Sequence, residues 1–369
     1  MPWKSPKDDF LAEYNGAMSN AANNLLKLAR SDRHLQPRVA IYYLTEQCNL
    51  NCVYCEDFGA RRNAQKQAPL PMEAVLRILS VIRSGVDALM LTGGEPFTHP
   101  QVDEILARAK KDLQFKEITL ISNGSLLEKH EKALNSIDRL IISLDSADPQ
   151  LAAKTVGISE ASAQSIIDNI TNFAALQTKL GFRMIVNTVL TPETLPGAES
   201  LLEFCIKNQL LVSFSPQAVN NWPRYELTVS PTYRAFIERL ILLKKNRAPI
   251  FGSEAYLRTL LAFQPYNCYP TLVPRIYPNG DLSYPCRPLE KAENGQGGRP
   301  VNLLNVRNWQ EVRQIAFDTL GEPPRTCHSC FQQCHAEPSL MQAQPLGLIN
   351  EWLRYPASRS GNLSTYAPG

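Results

Sequence analysis

Three thiols stand within eight residues in CNLNCVYC: Cys48, Cys52 and Cys55. A CxxxCxxC run puts three thiolates on one short loop. That is enough for three corners of a 4Fe-4S cluster and one short of the four protein ligands that close such a site, so the fourth iron is open to another molecule. A zinc ion completed by a distant residue is the alternative on spacing alone. A second group, Cys268, Cys286, Cys327, Cys330 and Cys334, reads C-x17-C, then about 40 residues, then CxxCxxxC in TCHSCFQQC. It makes a four-ligand site with one thiol spare, and spacing favours zinc and iron equally. Cys268 and Cys286 are its firmest members, and His328 or His335, flanking the final run, is a substitute for one ligand. Cys205, in the amphipathic LLEFCIKN, reads as a small core residue.

The elements that must hold these loops are legible from periodicity. RVAIYYL (38–44) is a buried strand running straight into the first thiols. An alternation follows: helix 71–85, strand DALMLTGG, helix 101–112, strand EITLISNG, helix SLLEKHEKAL, strand RLIISLD, a long helix near 160–180, strand RMIVNTVL, helix ESLLEFCIKN and strand LVSFSP. Six apolar strands separated by helices predict parallel β/α units with helices on one face and a packed interior on the other. Beyond about residue 225 the rhythm changes, with a helix over 231–246 and then RIYPNGDLSYPC, whose Asn279-Gly280 signals a hairpin. The expected organisation is a helical extension (1–37), a barrel-like core (38–225), a helical linker (226–260), a small Cys-rich hairpin and helix domain (261–340) and a tail (341–369).

Glycines and polar groups fall where these strands end. Gly93, Gly94, Glu95 and Pro96 follow the second strand, where α/β folds place ligand chemistry; two glycines let the backbone approach a ligand, and a carboxylate can hold an ammonium group. Asn123 follows the third strand, Ser143 the fourth, Asn187 lies in the fifth and Ser215 in the sixth. Each alone is equally a turn or cap residue.

Together, the thiol run and the GGEP segment in this order resemble the radical S-adenosylmethionine superfamily over about residues 38–220. The resemblance implies an α/β fold with a partial (β/α)6 TIM-like barrel. It further implies that Cys48, Cys52 and Cys55 hold a 4Fe-4S cluster whose fourth iron is chelated by the amino and carboxylate groups of S-adenosyl-L-methionine. Tyr54 matches the aromatic position that contacts adenine, and Gly93 to Pro96 match the segment that contacts the methionyl amine. Asn123, Ser143, Asn187 and Ser215 would then line the cofactor pocket. The C-terminal half resembles the SPASM or twitch extension of many such enzymes, which carries an auxiliary 4Fe-4S cluster. With five cysteines rather than seven or more, one auxiliary cluster is the implied count. An electron donor such as flavodoxin or ferredoxin is implied as well.

The remaining classes are constrained by composition. A net charge of +3 over 369 residues, with no long basic run, leaves no electrostatic footprint for nucleic acid. Asp8 and Asp9 sit where a secretory signal needs an apolar core, and no apolar run approaches 18 residues, so a cytoplasmic protein without membrane contact is expected. The five histidines suggest no catalytic pair. With 37 residues before the first strand, too few for a leader-binding domain, the expected substrate is a metabolite undergoing dehydrogenation, epimerisation or carbon–carbon bond formation. A ribosomal peptide is the second choice, and a non-enzymatic zinc scaffold a distant third.

Overall fold

The computed structural model describes residues 23–30, 32, 34–56, 58–59, 66–219, 222–291, 297–324 and 330–344. Six parallel strands form its centre: β1 (Ala40–Thr45), β2 (Ala88–Gly93), β3 (Glu117–Ser122), β4 (Arg139–Ser143), β5 (Arg183–Leu190) and β6 (Leu211–Pro216), paired in sequence order. Every β1 residue is buried, which suits its run of β-branched and aromatic residues between two layers. Helices α1 (Met72–Arg83), α2 (Val102–Lys111), α3 (Pro149–Val156), α4 (Glu160–Leu180) and α5 (Ala198–Lys207) fill the crossovers. The six parallel strands and crossover helices expected from the alternation are therefore present, as the partial barrel that the resemblance implies.

Local chemistry fixes the crossovers. Asp148 caps α3 through the Gln150 amide with Pro149 in the first turn, and Ser159 caps α4 through the Ser162 amide. One crossover departs from expectation. SLLEKHEKAL was read as a helix, but Leu127–Ser136 is 3-10 structure broken at His130. The reason is tertiary: the His130 ring stacks on Phe97 at 4.7 Å, and its Nδ1 lies 2.6 Å from an Asp103 carboxylate oxygen at the start of α2.

Beyond β6 come α6 (Pro231–Lys245) and α7 (Glu254–Ala262), then the hairpin announced by Asn279-Gly280, with Gly280 at φ +92°. Its first strand, Arg275–Ile276, joins the free edge of β1 in parallel, with Ile41 opposite Arg275 and Tyr42 opposite Ile276. Leu282–Ser283 returns antiparallel beside it. The C-terminal module is also held by α8 (Trp309–Leu320). Trp309 donates its amide to Ser84 Oγ at 2.8 Å and packs so closely on Gly85 that a Cβ there would lie 2.5 Å from the indole. The last described helix is α9 (Gln333–Ala343). No described helix is long and apolar enough to cross a membrane.

Candidate functional site

The loop after β1 carries the first three thiols and is fastened at three places. Gly94 and Glu95 donate their amides to the carbonyls of Thr45 and Gln47, each at 2.8 Å. Glycine is required there: a Cβ on Gly94 would sit 2.0 Å from the Gln47 oxygen, and Gly93, at φ +145°, passes equally close to Thr45. Farther along, Asn51 and Val53 donate to the carbonyls of Val156 and Thr155 at the end of α3. Finally, Tyr54 donates its hydroxyl to Asp145 Oδ2 at 2.5 Å, and the other Asp145 oxygen accepts from the Val189 amide. The loop is thus tied to the ends of β2, β4 and β5.

Cys48, Cys52 and Cys55 are half-buried on this loop and lie within electrostatic reach of one another. Burial, with Asp145 and the other two thiols adding to it, pushes Cys52 up to about 12. Cys48 is raised by burial, and Glu95 and Cys55 add to the rise. Such thiols are protonated at neutral pH when free and must release protons to bind a metal centre.

Glu95 turns out to be internal. It is fully buried; Oε1 accepts from the Phe97 amide and Ser122 Oγ, and Oε2 from the Asn123 amide at 2.7 Å. Burial pushes its carboxyl up to about 7 against those three donors. Pro96 opens the short turn that follows. The Asn123 side chain donates to Asn49 Oδ1 at 2.9 Å, just past Cys48. Ser143 and Asn187 lie opposite each other in the β4–β5 ladder, and Asn187 Oδ1 accepts from Ser213 Oγ. Ser215 is 3.3 Å from the Tyr256 hydroxyl, which donates to the Phe331 carbonyl, so it faces the C-terminal module. Asp145 stands in SLDS, the polar run directly after β4 from which sequence reasoning singled out Ser143; its hydrogen bond to Tyr54 was not foreseen.

The second thiol group gathers in the C-terminal module. Cys268, Cys286 and Cys330 are buried and Cys334 half-buried; Cys327 and His328 lie outside the described residues. Arg275 feels the charges of Cys334, Cys330 and Cys286, and Tyr266 those of Cys330, Cys268 and Cys334, so the four thiols share one neighbourhood. Arg275 is 6 % exposed; one Nη donates to Cys334 Sγ at 2.7 Å and to Gln332 Oε1 at 3.1 Å, the other to the Tyr43 hydroxyl at 3.0 Å. Tyr266 donates to the Cys330 carbonyl, and Ser339 reaches Cys268 Sγ at 3.7 Å. His335 is fully buried, neither ring nitrogen has a hydrogen-bond partner among the described residues, and burial with the Arg275 charge holds it well below its usual range. Cys205 sits in the core behind β6, as expected.

Among the described residues no three Cys, His, Asp or Glu side chains converge on a single ion position. The donor chemistry in both places, clustered thiols with loop amides or a guanidinium beside sulfur, fits iron–sulfur groups.

Comparison with known proteins bears on these sites. Residues 42–205 match the Radical SAM superfamily. The chain is 31% identical over 168 residues to a probable GTP 3′,8-cyclase of Methanococcus aeolicus, covering 44% of this chain and 54% of that protein. It is 30% identical over 224 residues to the GTP 3′,8-cyclase of Mycobacterium marinum, covering 58% and 61%. The chain therefore spans little more than half the length of these relatives. In fold it is similar to Streptococcus suis SuiB bound to the precursor peptide SuiA, with TM-score 0.62 and 19% identity over 88% of this chain and 76% of that one. The superfamily works with a 4Fe-4S cluster and S-adenosylmethionine, the groups the thiol loop was expected to serve. The thiol loop zipped to a glycine segment at the strand ends of the partial barrel lies inside the stretch, residues 42–205, that matches the Radical SAM superfamily.

Proposed function

We propose that the chain is a radical S-adenosylmethionine enzyme acting on a small or mid-sized metabolite, which it dehydrogenates, epimerises or closes through a carbon–carbon bond. The observation that carries this reading is the pair of backbone bonds joining the Cys48 loop to Gly94 and Glu95, because it fixes three thiols beside the glycine segment at the end of β2. Cys48, Cys52 and Cys55 hold the 4Fe-4S cluster. When bound, that cluster supplies the electron that splits the sulfonium of S-adenosylmethionine into methionine and a 5′-deoxyadenosyl radical able to take a hydrogen from carbon.

The chain's own residues bind and orient. Gly93 and Gly94 let the thiol loop lie directly against the end of β2, and Glu95, engaged by three internal donors, keeps the segment in shape for the methionyl end. Tyr54 is held by Asp145 for the adenine; Asn123, Ser143, Asn187 and Ser215 line the remaining strand ends. Cys268, Cys286, Cys330 and Cys334, with Cys327, supply the ligands of one auxiliary cluster of SPASM or twitch type. An electron donor such as flavodoxin or ferredoxin serves the first centre. The nucleotide-cyclising relatives support a small substrate; a ribosomal peptide is the alternative, as SuiB is described with one.

The test is to purify the protein without oxygen, reconstitute it with iron and sulfide, count iron, and assay 5′-deoxyadenosine from S-adenosylmethionine and dithionite. About eight irons with deoxyadenosine formation are expected for two four-iron clusters. Cys52→Ala should reduce deoxyadenosine to background. Cleavage that persists in this variant, or zinc in place of iron with no cleavage, overturns the reading.

A further inference from the structure

We propose that the two thiol groups exchange electrons along a route built from this chain's own residues: Cys55, Phe58, Tyr43, Arg275 and Cys334. The route rests on the enzyme reading above, with an iron–sulfur centre in each thiol group. It goes beyond that reading in making the C-terminal centre a store of electrons for the first.

Contact comes first, since an electron tunnels more readily through touching atoms than across a gap. The Phe58 amide donates to Cys55 Sγ at 3.4 Å. The Phe58 ring is tilted against that of Tyr43, with 5.5 Å between their centres, an ordinary aromatic contact. The Tyr43 hydroxyl accepts from one Nη of Arg275 at 3.0 Å, and the other Nη donates to Cys334 Sγ at 2.7 Å. An amide, two rings and a guanidinium thus join a sulfur of one group to a sulfur of the other.

Support comes second. Tyr43 stands on β1 and Arg275 on the hairpin strand paired with it, where the Ile41 amide donates to the Pro274 carbonyl at 2.9 Å. The middle of the route is therefore held by a sheet rather than by loops. Tyr43 and Arg275 are each 6 % exposed, so little water has to reorganise as charge passes. The buried guanidinium adds a fixed positive charge on the route, which favours an electron in transit. In each passage the C-terminal centre gives up one electron and the first centre gains it, with no bond formed or broken. Cleavage of S-adenosylmethionine, which takes one electron from the first centre, draws the next one over.

The experiment reduces the reconstituted protein with dithionite, removes the excess without oxygen, and adds S-adenosylmethionine. It follows the electron paramagnetic resonance signal of the C-terminal centre and the deoxyadenosine formed per chain. The wild type should form about two deoxyadenosines, one for each four-iron centre, the second as the C-terminal signal decays. Tyr43→Phe keeps the ring but removes the acceptor for Arg275, and Phe58→Leu removes the ring contact. In both, the first deoxyadenosine should form as in the wild type, while the signal persists and the second is lost or delayed. Tyr277→Phe, whose ring flanks Tyr43 at 5.9 Å off the route, should behave as the wild type. A signal that persists in the wild type after one deoxyadenosine, or that decays equally fast in Tyr43→Phe and Phe58→Leu, overturns the route. Equal slowing by Tyr277→Phe, or slowing matched by a shift of the C-terminal centre's midpoint potential, overturns it too. A protein that forms no deoxyadenosine at all overturns the enzyme reading itself, and the route with it.

Discussion

The two thiol groups live in opposite electrostatic settings, though both are reached from β1. The first lies beside Glu95 and Asp145, buried carboxylates whose charges add to the rise of the Cys48 and Cys52 thiols. The second surrounds Arg275, a buried guanidinium donating to Cys334 Sγ. An iron–sulfur group gains negative charge on reduction, so neighbouring carboxylates oppose the added electron, while a guanidinium and its hydrogen bond favour it. With the iron–sulfur groups proposed above in place, the first setting would make the more strongly reducing centre and the second the more readily reduced one.

The sharpest way to break the comparison is steric. Gly94→Ala drives a Cβ against the Gln47 and Glu46 carbonyls and should unzip the first loop alone. We expect a loss of more than about 3 kcal/mol in unfolding free energy and of the first centre's iron, with the second centre's electron paramagnetic resonance signal retained. Simultaneous loss of both signals would show that the two centres are not independent.

Next in size is the acid side of the first centre. Glu95 rises from 4.5 in the unfolded chain to about 7 in the fold. A raised carboxyl favours the folded state while protonated: its contribution is complete below pH 4.5 and is lost as pH rises through 7, about 3 kcal/mol in all. In urea unfolding of the metal-free protein between pH 4.5 and 8, Glu95→Gln should remove that slope. A slope that persists would assign it to another group.

The smallest effect sharpens the basic side. Arg275→Gln removes the charge beside Cys334 while keeping an amide donor, and should lower the second centre's midpoint potential in a redox titration while leaving the first unchanged. An unmoved potential would reduce Arg275 to a packing and hydrogen-bonding role.

Much of this was legible in the sequence because it is local. Apolar runs such as RMIVNTVL announced β5, and CxxxCxxC and GGEP announced their loops by spacing alone. What was illegible depends on partners far apart in the chain. Asp145 meets Tyr54 across 91 positions, and Arg275 meets Tyr43 across 232. A carboxylate beside two glycines reads as a ligand for an ammonium, but only the fold reveals that Ser122 and Asn123 engage Glu95. His130, likewise, breaks a helical pattern because Phe97 and Asp103 claim its ring.

The pairing of β1 with Arg275–Ile276 has a consequence for how the chain is made. β1 pairs on one side with β2, soon after it is synthesised, but its other edge waits for a strand that follows the whole of residues 46–274. At about 5–20 residues per second, a ribosome leaves that edge without its native partner for roughly 10–50 s. Through that interval the nascent protein carries an aromatic-rich open edge whose residues are all buried in the finished fold, the kind that recruits chaperones or neighbouring chains.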